Sequence, residues 1–371
     1  MTSRITTAQL ATGLLFSAFL GNHCFAAEFQ GLGDLPGRKF ESHAWAVSAD
    51  GAVVVGSSAS LMGDSEAFLW SRQVGMAALG GLPDTKRKLP SISSRADSVS
   101  DDGTAVVGNS VGGSTKAFRW TKADGMQELG SLPGRYSVSS ARGISGDGQI
   151  IVGQSASTGG DEAFRWTKKI GMKGIGRLPG GGESSGSAKS IAFAISGDGT
   201  TIVGFSKSIN GLEAFRWTES TGMQGLGDLP GGRFQSQATD VSGDGSIVVG
   251  SGYHSNGEEQ AFMWNTKDGM QPLPDLPGGA LYCTASGVSR DGTTIVGAGY
   301  SAAGSEAVLW TQELGVQSIK QLLIDRGVDM TGWSLWTATD VSSDGKVIVG
   351  YGNNAKKNWE AWRADLSDPA R

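Results

Sequence analysis

The sequence predicts an all-β fold, a seven-bladed β-propeller of four-stranded blades whose ring is closed by the N-terminal strand joining the last blade. Three observations carry that expectation: one pattern recurs seven times, glycine is heavily over-used, and the two chain ends complement each other. Glycine fills 59 of 371 positions, where average usage would place roughly 26. The hydrophobic fraction of 38% comes in short clusters rather than long runs, which suits short strands joined by tight turns.

The repeat core reads Ala-x-x-(Val/Ile)-Ser-x-Asp-Gly. Its Asp recurs at Asp50, Asp102, Asp147, Asp198, Asp244, Asp291 and Asp344, and six residues after each stands Gly56, Gly108, Gly153, Gly204, Gly250, Gly297 or Gly350. A second cluster, most often Glu-Ala-Phe-x-Trp, sets Trp70, Trp120, Trp166, Trp217, Trp264 and Trp310, each followed five residues later by a glycine. A Leu-Pro-Gly or variant ends most units. In the fifth unit the four predicted strands are 238–242, 247–251, 261–264 and 270–273. The Asp-Gly supplies the positive-φ residue of one hairpin, and the glycine after Trp that of the next. A repeat of roughly 50 residues holding four strands is a propeller-blade signature. Phe, Trp and the β-branched pairs then fill the gaps between blades, worth about 1.5–3 kcal/mol each on burial.

The last unit finishes at Glu360-Ala361-Trp362-Arg363 without a fourth strand, while Phe29 to Pro36 reads as a fourth strand with no unit before it. Pairing the two removes both exposed sheet edges, and a closed ring of this kind is expected to be monomeric. Ahead of it, Arg4, the apolar run from Ala11 to Leu20 and Cys24-Phe25-Ala26 form a signal-peptide pattern with cleavage after Ala26. That run is too short to span a bilayer, and no later segment could cross one. The expected organisation is a signal peptide at 1–26, one propeller domain at 27–366 and a short tail at 367–371, in a protein exported to the periplasm or beyond. Once Cys24 leaves with the signal, Cys283 has no disulfide partner, and a small buried side chain is expected there.

At these residues the chain resembles the HAF-repeat family of bacterial exported proteins. The resemblance runs from about Phe29 to Leu366 and rests on Leu226 to Gly232, Val241-Ser242-Gly243-Asp244-Gly245 and Glu213-Ala214-Phe215-Arg216-Trp217. Gly327-Val328-Asp329 and Thr331-Gly332-Trp333 before Ala338 resemble the closing unit of such proteins. The resemblance implies a repeat architecture and brings no catalytic residues. Lys116 and Gln260 replace the usual Glu, Val308 replaces Phe, and Trp362 and Ala364 take the Phe and Trp positions of the seventh unit.

Loop lengths separate the two ends of the predicted disc. Both hairpins keep constant length, whereas Pro36, Pro83, Pro133, Pro179, Pro230 and Pro277 precede the next core Ala by 8, 13, 8, 13, 8 and 8 residues. The second-to-third strand connection varies too. Connections alternate between faces in an up-and-down blade, so both variable connections share one face, where binding is expected. The candidates there are Phe40, His43, Arg135, Tyr136, Phe234, Tyr253, His254, Tyr282, Tyr300, Trp333, Trp336 and Trp359. Aromatics beside Arg and His suit a glycan, a peptide or another polar surface, and the structural alternative is that several merely cap the blades. The basic run Lys86-Arg87-Lys88, with Arg95 nearby, reads as a solvated loop, or alternatively as a contact for an anionic polymer.

Other chemistry is disfavoured. A net charge of −5 provides no basic field for nucleic acid. Each Asp-Gly turn offers too few oxygens for an EF-hand site, and its Asp is expected to bond its own turn. Two remaining histidines, His43 and His254, have no zinc spacing. No cofactor is expected. A polysaccharide lyase or glycoside hydrolase is the alternative to a non-enzymatic scaffold, but it should gather charged residues at the central mouth. The residues that break the repeat here look chiefly aromatic and scattered, which favours binding.

Overall fold

The computed structural model describes residues 27–367, apart from 38, 62, 64, 84–92, 182–187 and 255–256. The expected leader, nearly all of the tail and the Lys86-Arg87-Lys88 run lie outside the described residues. Each repeat forms an antiparallel sheet. In the first, Ser42–Val47, Val53–Ser58, Glu66–Ser71 and Gly75–Gly80 pair in chain order. Parallel bridges from Gly160 to Ala188 and from Leu212 to Gln235 join neighbouring middle units into one larger sheet.

The hairpins form for the reasons the repeat suggests. Gly51, Gly103, Gly148, Gly199, Gly245, Gly292 and Gly345 all have φ between 70° and 75°, a region L side chains avoid. In each turn the Asp carboxylate accepts from the Ser hydroxyl two residues back and the amide two residues on, as Asp244 does from Ser242 (2.8 Å) and Ser246 (2.9 Å). The motif Asp therefore serves its own turn.

Hydrophobic clusters fill the space between consecutive sheets. Phe68, Phe118, Phe164, Phe215 and Phe262 are fully buried, and Trp362 takes the same role in the seventh unit. One cluster joins Val54, Phe68 and Trp70 of the first unit to Val347, Val349 and Ala361 of the last. The ends meet as well: Glu28–Gly31 pairs antiparallel with Trp362–Asp365, Phe29 opposite Ala364. Glu360 accepts the Gly33 amide (3.0 Å) just as Glu213 accepts that of Gly227 (3.2 Å) inside the fourth repeat. The opening strand thus occupies in the last sheet the place an outer strand fills elsewhere.

A serine pins most inner strands to the preceding unit. Ser94, Ser139, Ser190 and Ser236 accept the amides of Ala67, Ala117, Ala163 and Ala214 and donate to a glycine carbonyl. Cys283 stands at that position in the sixth unit, taking the Ala261 amide on Sγ at 3.4 Å. Burial pushes its thiol up to about 12, so it is a structural substitute for serine and a poor nucleophile.

One element was not anticipated. A short helix, Ile319–Asp325, capped by Ser318, leads into the seventh unit and buries Ile319 and Leu323 beside Trp362.

Candidate functional site

The site begins with a fault in the sheet. In all seven inner strands the register slips at the first variable residue after the core Ala, between Ala44 and Ala46 and again at 96/98, 141/143, 192/194, 238/240, 285/287 and 338/340. Such bulges turn side chains out of the regular alternation. The variable positions of the repeat core consequently face a common cavity of about 220 Å³. The first contributes Trp45, Asp97, Arg142, Phe193, Thr239, Ser286 and Thr339, and the second adds Asp240 and Asp340. The one before the turn Asp adds Asp101, Arg290 and Ser343.

The expectation that charged residues are not gathered at the centre is therefore corrected. They are spread along the sequence, one or two in each of five repeats, and the bulges bring them together. Asp97 is held by Arg95 (2.6 Å) and Arg142 (3.4 Å) and accepts from Asn109 (3.0 Å). Burial nevertheless raises its carboxyl above the ordinary range. Asp240 accepts the Val288 amide (2.8 Å), and Asp340 accepts those of Val47 (2.9 Å) and Val341 (2.7 Å). Among the described residues neither forms an ion pair. Burial, with the Asp340 charge added, pushes Asp240 up to about 8, and burial pushes Asp340 up to about 7. Gly287 separates them, and a Cβ there would come within 3.1 Å of Asp340.

At the Asp-Gly end, Arg290 reaches across to an ion pair with Asp101 of the second repeat, while its Nε donates to Ser343 (3.3 Å). Its side chain fills the space beside Gly146, Gly197 and Gly243, where any Cβ would approach it closer than 3.0 Å. Backbone bonds run from turn to turn around it, from Ala49 to Asp101, Asp101 to Gly146 and Gly146 to Gly197, and from Ser343 to Ala49.

The opposite end carries an aromatic shelf. His43 stacks on Trp45 (5.9 Å between ring centres) and meets Tyr351 edge-on (4.7 Å). Trp359 lies 5.8 Å from both His43 and Tyr351 and 5.6 Å from Trp336. Arg95 covers the Trp45 ring at 4.1 Å. Trp336 and Trp359 are each 37% exposed, leaving ring surface free for a ligand. Burial lowers the His43 pKa, so at neutral pH the shelf presents a neutral imidazole. All of these rings sit on strand segments next to the variable connections.

Of the sequence candidates, His43, Trp336 and Trp359 meet in this shelf. Trp45 and Tyr351 complete it and were missed, although Trp45 stood at a variable position of the core, while Arg95, read only as a neighbour of the basic run, covers Trp45. Tyr282 and Tyr300 form a separate pair (5.6 Å), their amides tied to Asp275. Tyr253 lies under Arg233 (4.2 Å) and Tyr136 under Arg135 (5.4 Å). Phe40, Phe234 and His254 are half-buried. Trp333 is placed differently: it packs edge-on against Phe29 (4.8 Å) and lines a core cluster. Because the strand that brings Phe29 there comes from the far end of the chain, proximity along the sequence gave no hint of it.

No family model matches the chain, and no curated protein sequence matches it. Solved structures do. A prolyl endopeptidase aligns with a TM-score of 0.55 at 12% identity over 94% of this chain, which spans only 51% of that enzyme. An oligogalacturonate lyase from Vibrio parahaemolyticus aligns at 0.54 and 11% identity, over 92% of this chain and 97% of the other. The β-propeller domain of the Trilobed protease from Pyrococcus furiosus aligns at 0.52 and 10%, covering 93% and 99%. At such identities the likeness is one of fold: this chain is a repeat-built, all-β protein of the β-propeller type. Among the described residues no helix is long and apolar enough to cross a membrane.

Proposed function

We propose that the chain is an exported HAF-repeat protein that closes as a seven-bladed ring and binds a polar ligand on its variable-loop face, without acting on it chemically. The observation that carries this reading is the shelf of His43, Trp45, Tyr351, Trp359 and Trp336, five rings from the first and last repeats whose half-exposed indoles stand at the mouth of a polar cavity. Rigid aromatic faces beside a few fixed polar groups are the usual makeup of a small-ligand site. Two further features support the ring: the pairing of Glu28–Gly31 with Trp362–Asp365, and the apolar cluster shared by the first and last repeats.

The test is a binding screen of the chain from Ala27 onward against immobilised oligosaccharides and peptides. Wild type should retain at least one of them, and Trp359→Ala or Trp336→Ala should weaken that binding roughly tenfold, the effect of losing about 1.4 kcal/mol. Binding untouched by both substitutions would overturn the shelf. A second reading, an enzyme using the same face, is favoured by the Asp240 and Asp340 carboxyls, which burial keeps near neutral titration as acid–base groups often are. Shortening of a retained glycan during incubation would establish it.

A further inference from the structure

The channel behind the shelf is crossed by an ion pair at its hairpin end. At the hairpin end, Arg290 crosses it to Asp101, and the space beside Gly146, Gly197 and Gly243 is taken by that side chain. At the other end, the first-position side chain Trp45 belongs both to the cavity wall and to the shelf, making the two continuous. A polymer lying on the shelf cannot thread past that ion pair, whereas a chain terminus can enter the cavity of about 220 Å³ in front of it.

We propose that shelf and channel form one site for the end of a neutral carbohydrate chain: sugar rings stack on Trp359, Trp336 and His43, and the terminal residue enters the cavity between Thr239, Ser286, Asp240 and Asp340. This rests on the shelf reading given above. The charges in the channel favour a polyol over a peptide terminus. Asp97 is already neutralised by Arg95 and Arg142, and Asp101 by Arg290. Asp240 and Asp340 hold backbone amides and lie where burial favours their protonated form. A protonated carboxyl both donates and accepts, which matches a hydroxyl rather than a full charge.

Ser286 provides a way to fill the channel without disturbing the fold, because Trp45 and Phe193 occupy the same repeat position in other units. The experiment uses neutral hexasaccharides (β-1,4-glucan, xylan, mannan and galactan), each with both ends free and with either terminal ring blocked. It compares wild type, Ser286→Trp and Trp359→Ala by titration. At least one free hexasaccharide should bind wild type, blocking one of its ends should cost tenfold or more, and Ser286→Trp should abolish that difference while keeping weaker binding. Trp359→Ala should weaken every form. Equal binding of free and blocked sugars, unaffected by Ser286→Trp, overturns end recognition and leaves the shelf standing. Binding of free peptide termini in place of any sugar overturns the carbohydrate assignment.

Discussion

Gly204→Ala should destabilise the protein by more than about 3 kcal/mol, read as a large fall in the denaturation midpoint. A single methyl group has this effect because the Ile191 carbonyl oxygen points at the place it would occupy, closer than 3.0 Å, with Ala192 Cα at 3.0 Å. Both obstacles are backbone, so neither can rotate away. The same carbonyl approach occurs at Gly56, Gly108, Gly153, Gly250, Gly297 and Gly350, and it arises from the bulge that turns the inner strand toward the channel. Gly222, by contrast, has nothing within 4 Å of a prospective Cβ, only a φ of +67°. Gly222→Ala should therefore cost only about 1–2 kcal/mol. A comparable loss at both positions would contradict the close-approach explanation.

Stability should also fall as pH rises from about 4 to about 8. The folded protein holds protons on Asp240 and Asp340 up to about 8 and about 7, while the unfolded chain releases them near 3.8. The native state thus binds more protons across that window, and unfolding becomes easier as pH climbs through it. Asp97, raised mainly by burial, acts in the same direction. Asp50 and Asp102 act oppositely: bonds from Ser48 and Ser100 lower their pKa values, so the stability they contribute is lost as pH drops below the ordinary carboxylate range. The best pH for stability should accordingly lie near 4–5. Asp240→Asn keeps an oxygen for the Val288 amide, removes one of the two buried charges and should flatten the decline, gaining more than about 1.4 kcal/mol at pH 8, the equivalent of one pKa unit. A melting temperature that rises from pH 5 to pH 8 in the wild type would exclude this assignment.

Much of the architecture was legible because each unit repeats the same local instructions. Asp244-Gly245 reads as a hairpin wherever it occurs, and the surplus of Phe29 to Pro36 against the deficit after Arg363 points to a shared sheet. The helix at Ile319–Asp325 escaped notice because its signal is small: a Ser318 cap and a pair of apolar residues four apart, within a stretch read as connection. The site was less legible for a geometric reason. Regular alternation sends neighbouring side chains to opposite faces, so the variable positions of Ala-x-x-Val-Ser-x-Asp looked like unimportant filler. The bulge makes them converge, and the residues a repeat search discards as variable, from Trp45 and Asp97 to Asp340, become the lining of the cavity. Charged and aromatic residues at the variable positions of an inner strand were the signal available, and averaging over repeats hid it.

Ring closure admits a covalent test. In the chain from Ala27 carrying Cys283→Ser, cysteines replacing Glu28 and Asp365 occupy directly paired positions on the first and last strands, at a separation a disulfide accepts. Mild oxidation should yield an intramolecular bond in nearly every molecule and raise stability by as much as about 5 kcal/mol, the loop closed being almost the whole domain. Thiols that stay free in the folded monomer, or that react only between molecules, would show that the opening strand does not lie against the closing one.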